Sequence, residues 1–172
     1  MVCVSWDDAK HYVKWLAAET GKDFRLPSES ELEYATRGGT TTSRYWGEDG
    51  DDFCSYGNTA DGAAHKKYRN WQVADCDDGK VYTAPVGSYK PNAFGLYDML
   101  GNVKVWTADC WNANLDKVDV NGAPTQSGDC SLHAVRGSAW DAYPSNARSA
   151  FREKNYATGA FLNYGFRVAR GF

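Results

Sequence analysis

The chain has 172 residues, 17 of them glycine, with seven tryptophans and eleven tyrosines against two methionines, and a formal net charge of −3. That length fits one domain of roughly 100 to 200 residues with a sizeable core. No basic run supplies the electrostatic footprint that a phosphate backbone needs, so nucleic acid is not an expected partner. No apolar stretch approaches the roughly 20 residues that span a bilayer, and Met1-Val2-Cys3-Val4 lacks the charged-then-apolar layout of a signal peptide. Membrane insertion is not expected, and the compartment stays open.

Over residues 5–20, Ala9, Tyr12, Val13, Leu16 and Ala17 recur at helical spacing behind Ser5 as cap. Asp8 completes a capping box and Gly21 ends the helix. A short extended run, Phe24-Arg25-Leu26-Pro27, leads to a second cap at Ser28 with Glu31 three residues on; the helix through Leu32 and Ala35 ends at Gly38-Gly39. Residues 40–82 show neither helical nor strand period, yet they carry Tyr45, Trp46, Phe53, Tyr56, Tyr68 and Trp71. A stretch that long and aromatic is functional or held by metal or disulfide, not a linker. Short strands separated by turns are predicted at 84–89, 103–107, 133–136, 147–152 and 166–169, with a polar surface loop over 111–129. Two early helices and a late, mostly antiparallel sheet make an α+β architecture.

Five cysteines include no Cys-x-x-Cys pair. Cys54 and Cys76 flank one loop-rich stretch and Cys110 and Cys130 another. Closing a loop of about twenty residues stabilises by about 3 kcal/mol in the chain-entropy treatment. Those two bridges with Cys3 free stand beside five reduced thiols, and spacing does not separate the alternatives.

Several runs taken together resemble one family. They are Val4-Ser5-Trp6-Asp7-Asp8-Ala9, Arg25-Leu26-Pro27-Ser28-Glu29 with Glu33-Tyr34-Ala35, Pro85-Val86-Gly87-Ser88, Pro91-Asn92, Phe94-Gly95-Leu96-Tyr97-Asp98-Met99, Gly101-Asn102-Val103 and Gly165-Phe166-Arg167. In that order they resemble the formylglycine-generating-enzyme (sulfatase-modifying-factor) domain across nearly the whole chain. The resemblance implies a single domain over 1–172 with the C-type lectin fold, lacking the family's usual N-terminal strand region. Fold does not fix function. The family's enzymes hold copper through two cysteines, thiolate being the soft ligand that selects Cu(I). The corresponding segment here, 136–152, contains no cysteine, so sulfatase maturation and copper are not expected.

Related iron-dependent sulfoxide synthases use a histidine site; His11, His65 and His133 have no ligand spacing, so iron is not expected either. The resemblance also implies a structural calcium site built from Asn58, Thr59, Asp78 and the carbonyl of Lys80, oxygen donors of the kind that suit the ion. The bland alternative is that Asn58 and Asp78 cap turns. A second family site would use Asp98, Gly101 and Val103, but Val105 stands where the family has a glutamate.

Between framework positions Arg136, Trp140, Arg148, Ala150, Arg152 and Gly165-Phe166-Arg167 lie Asp141, Ala142, Tyr143, Phe151, Asn155, Tyr156, Phe161, Leu162, Asn163 and Tyr164. With Trp140 at its border, this mixture of aromatics and small polar residues is what a paratope uses. The alternative is that the aromatics fill core. The pattern resembles the variable proteins of diversity-generating retroelements, and each of the ten is reachable from the codon AAC by changing adenines alone. The expectation is a non-catalytic protein that binds a protein or glycan ligand; its localisation stays unassigned, cell- or virion-surface display being one setting open to it. An undiversified accessory module and a degenerate enzyme of the family are the alternatives.

Overall fold

In a computed structural model describing residues 1–48, 52–116, 119 and 121–171, the first helix, α1 (Trp6–Thr20), begins at the predicted cap. Ser5 Oγ accepts the Asp8 amide and the Asp8 carboxylate accepts the Ser5 amide, both at 3.0 Å; left-handed Gly21 closes the helix on the Ala17 carbonyl. The second cap is equally local. Ser28 Oγ accepts the Glu31 amide and Glu31 accepts the Ser28 amide ahead of α2 (Glu29–Arg37). The chain forms two units, Met1–Leu32 with Val105–Arg136 and Arg152–Phe172, and Glu33–Lys104 with Gly137–Phe151.

In the first unit, β1 (Phe24–Arg25) pairs antiparallel with β6 (Ala169–Arg170). A four-stranded sheet runs in the order β4-β3-β2-β5, from β2 (Lys104–Trp111), β3 (Asp129–Arg136), β4 (Arg152–Tyr156) and β5 (Tyr164–Phe166). The β2–β3 and β3–β4 pairs are antiparallel. Trp106, Val135 and Tyr164 form one cluster and Ala9, Val13, Leu26 and Ala108 another, with Trp6 and Phe166 packed against both. Both indole N–H groups are satisfied, Trp6 on the Thr107 carbonyl and Trp106 on the Val4 carbonyl, as burial of a tryptophan requires. The Cys110–Cys130 disulfide closes the loop between β2 and β3. Positions 117, 118 and 120 of that predicted loop, and 49–51 of the aromatic stretch, lie outside the described residues.

The second unit contains two short helices that the sequence reading missed, α3 (Phe53–Tyr56) and α4 (Gly62–Lys67); the Cys54–Cys76 disulfide joins α3 to the segment after α4, where the Cys76 carbonyl accepts the Gly62 amide. Phe53, Ala74 and Ala147 form its core with Trp46, whose ring stacks on Tyr56 at 5.1 Å. The predicted strand at 84–89 is a loop and turn instead. Gly87 has a φ of +77°, and the Ala84 amide and carbonyl are bonded by the Asn102 side chain, which takes the place of a neighbouring strand. Positions 147–151 are likewise not a strand. The chain turns through a 3₁₀ segment (Pro144–Asn146), the Phe151 amide closes on the Arg148 carbonyl, and strand begins only at Arg152. The run 166–169 splits between the ends of β5 and β6.

No described helix is long and apolar enough to cross a membrane. The α+β class expected from the sequence is the one the chain adopts.

Candidate ligand-binding site

The predicted ligand residues divide between the two units. In the second, Tyr143 is 52% exposed and Asp141 half-buried, whereas Trp140 and Ala142 are buried. The Ala142 carbonyl accepts both Thr59 Oγ1 and the Ala60 amide, and the Trp140 amide bonds to the Asn102 carbonyl. Trp140 and Ala142 are therefore moved off the ligand-facing set. They anchor the turn that presents Asp141 and Tyr143.

Those two residues line a pocket of about 200 Å³ with Trp71 and Gln72, which the sequence reading did not nominate. Trp71 is held from behind. Its ring stacks on Tyr68 at 4.2 Å with planes 12° apart, and its amide closes a turn onto the Tyr68 carbonyl. Tyr68 ends α4, whose start is capped by the fully buried Asp61 accepting the Ala63 and Ala64 amides. Tyr82 meets Trp140 edge-on at 5.1 Å. The Lys67 ammonium is hydrogen-bonded to the Tyr82 hydroxyl, holding that phenol below its ordinary range. Phe151 is half-buried beneath the Arg148 guanidinium.

In the first unit, Tyr156, Phe161 and Leu162 are exposed, with half-buried Asn155 and Asn163 beside them in sequence. Tyr156 ends β4, an edge strand of the sheet, and the Phe161 carbonyl accepts the Cys3 amide. Tyr164 is the exception: it is 3% exposed, meets Trp106 edge-on at 5.2 Å, and its hydroxyl donates to Glu153 and accepts from Asn155. It belongs to the core and supports the exposed residues before it.

The calcium candidates offer oxygen donors. Asn58 is fully buried; its amide nitrogen donates to the Tyr82 carbonyl at 2.8 Å, while its Oδ1 accepts no hydrogen bond. Gly101 makes room there, since a Cβ at that position would lie 2.4 Å from the Asn58 carbonyl oxygen. Thr59 is buried, and the Asp78 carboxylate accepts the Lys80 amide and the Tyr89 hydroxyl. Burial, with Asp61 adding to it, pushes the Asp78 pKa up, and a bound cation would counter that. An amide oxygen without a hydrogen bond and a desolvated carboxylate are oxygen donors of the kind a hard cation takes. Asp78 and Lys80 also border an open concavity of about 650 Å³ with Ser88, Tyr89, Lys90 and Tyr97.

Other polar clusters are structural. Glu29 pairs with Arg136 and Arg152, and with Arg152, Asp109 and Thr125 it borders a void of about 10 Å³, room for no more than about one water. Among the described residues no group of three or more His, Cys, Asp or Glu side chains is arranged to hold a metal. Of the five cysteines, four form the two disulfides and Cys3 is the free thiol.

The profile of the Sulfatase-modifying factor enzyme 1-like domain matches residues 1–172. The chain is 35% identical over 177 residues to the formylglycine-generating enzyme of Streptomyces coelicolor, covering 98% of this chain and 52% of that protein. It is 32% identical over 178 residues to the inactive C-alpha-formylglycine-generating enzyme 2 of Bos taurus, covering 99% and 50%. The chain thus spans about half the length of these two relatives. Among solved structures, PvdO from Pseudomonas aeruginosa superposes with a TM-score of 0.86 at 35% identity, covering 99% of this chain and 61% of that one. Treponema denticola variable protein 1 shares the fold, with a TM-score of 0.77 at 21% identity over 98% and 69%.

Proposed function

This chain belongs to the sulfatase-modifying factor enzyme 1-like family and has the C-type lectin fold of formylglycine-generating enzymes, and within that family we propose that it is a binding protein, not a catalyst. The observation that carries this reading is the pairing of the thiols. Segment 136–152 holds no cysteine, and with Cys54–Cys76 and Cys110–Cys130 bridged only Cys3 is left, one thiolate where the family's copper chemistry uses two. In place of that chemistry the chain exposes Tyr143, Tyr156, Phe161 and Leu162 among Asn and Asp residues. This is large contact area at low entropic cost beside adaptable hydrogen-bonding groups.

The ligand is a protein or glycan, reached without nucleic acid or membrane insertion, and the exposed positions are diversified by a retroelement. Calcium held by Asn58, Thr59, Asp78 and Lys80 braces the loops and takes no part in turnover. Two experiments test this. Incubation with Cu(I) and a cysteine-containing sulfatase peptide is expected to leave the peptide mass unchanged; conversion of its cysteine would overturn the binding reading. Sequencing the DNA beside the gene is expected to find an AAC-rich near-copy of its 3′ end next to a reverse transcriptase. Their absence would leave an undiversified binding module.

A further inference from the structure

We infer that Lys67, Tyr68 and Tyr82 form a site for the acidic group of a sugar, a carboxylate or a sulfate ester carried by a glycan ligand. This rests on the binding reading above and names the class of ligand. Three polar heads meet there. The Lys67 ammonium donates to the Tyr82 hydroxyl and lies 4.7 Å from the centre of that ring and 5.7 Å from that of Tyr68, and the two phenol oxygens are 3.4 Å apart. Among the described residues no carboxylate pairs with Lys67, whereas its neighbour Lys66 is paired with Asp77 at 2.7 Å. The cluster therefore carries one uncompensated positive charge.

The donors select the guest. An ammonium has three N–H groups and each phenol one O–H. One N–H goes to Tyr82 and one phenol O–H lies between the two hydroxyls, which leaves two N–H and one O–H without an acceptor among the described residues. Three donors and one positive charge suit one negative charge beside more than two oxygens. A sulfate ester has three terminal oxygens, and a sugar acid has a ring oxygen next to its carboxylate. An aspartate or glutamate side chain brings two oxygens only, and a neutral sugar brings no charge. The fold also holds the heads in place. Tyr68 ends α4 with its amide on the Ala64 carbonyl and its ring stacked on Trp71 at 4.2 Å. Tyr82 meets Trp140 edge-on at 5.1 Å, and its carbonyl accepts the Asn58 side chain. A guest then orders little of the protein when it binds, which preserves affinity.

The test titrates the whole chain with methyl glucuronide and with galactose 6-sulfate in a calorimeter, against neutral methyl galactoside and N-acetyl-aspartate amide. Saturable binding is expected for at least one acidic sugar, at least about tenfold tighter than for either comparison, weakened about tenfold in Tyr82→Phe and lost in Lys67→Gln, with both variants keeping the wild-type melting temperature. A second readout belongs to this site alone. The Lys67 ammonium holds the Tyr82 phenol below its ordinary range, and a bound anion opposes loss of the phenol proton, so acidic sugar should move the phenolate absorbance of Tyr82 to higher pH in wild type and not in Tyr82→Phe. Binding that neutral sugar matches or that Lys67→Gln leaves unchanged overturns the inference, as does no binding of either acidic sugar. Tighter binding of the aspartate amide overturns it in favour of an acidic peptide. The copper and peptide assay above decides the binding reading separately, so an unconverted peptide with no acidic-sugar binding defeats the inference alone.

Discussion

Trp6 and His133 lie face to face, ring centroids 3.6 Å apart and planes 7° apart, with His133 Nδ1 3.0 Å from the Asp109 carbonyl oxygen. His133 is buried, and burial holds its pKa below the ordinary 6.5 despite the opposing pull of that carbonyl and of Asp7. The unfolded chain therefore takes up the proton first as pH falls. Stability is expected to drop from about pH 6.5 downward until the folded imidazole protonates as well. Thermal melts across about pH 7 to 5 should show that slope in wild type and a flatter one in His133→Gln; an identical slope in both would sink the assignment.

Glu29 is 4% exposed and receives Arg136 Nη1 at 2.9 Å and Arg152 Nη2 at 2.8 Å. Removing the carboxylate takes a charged partner from the Arg136 guanidinium, itself 2% exposed. Glu29→Ala is expected to cost about 3–5 kcal/mol in urea unfolding, with Glu29→Gln costing less. A loss under about 1 kcal/mol would mean that solvent reaches the network.

Tyr164 and its exposed neighbours should behave oppositely. Tyr164→Ala removes a ring packed on Trp106 together with the hydroxyl bond to Glu153, and a loss of about 3–5 kcal/mol is expected. Tyr143→Ala and Leu162→Ala, more than half exposed, should each change stability by no more than about 0.5 kcal/mol. Chemical denaturation of the three variants decides this, and similar losses in all three would assign the exposed pair to the core.

Calcium at the Asn58–Asp78 site is expected to stabilise by mass action, about 2.7 kcal/mol at a hundredfold excess over its dissociation constant. The melting temperature should rise when calcium replaces chelator, and Asp78→Asn should abolish the rise. Equal melting temperatures with calcium and with chelator would leave Asn58 and Asp78 as loop-bracing residues alone.

Both helix caps were legible because each is written within four residues: Ser5 with Asp8, and Ser28 with Glu31. The loop at Ala84 was misread as a strand because its apolar run has strand composition, while its hydrogen-bond partner is the side chain of Asn102, eighteen residues away. The exposed Tyr143, Tyr156, Phe161 and Leu162 could be nominated from composition. Composition does not reveal that Trp140, Ala142 and Tyr164 turn inward, since that follows from contacts with Asn102, Thr59 and Trp106. Trp71 and Gln72 had one sequence signal, the density of aromatics in a stretch without period. Their convergence with Asp141 depends on α4 and the Cys54–Cys76 bridge, neither of which repeats along the chain.

Both disulfides, Cys54–Cys76 and Cys110–Cys130, close before position 136. The stretch 141–163, which holds the exposed Tyr143, Tyr156, Phe161 and Leu162, contains no cysteine and so contributes no covalent brace. Substitutions there leave both crosslinks untouched, so side chains over this stretch can change while the covalent frame stays the same.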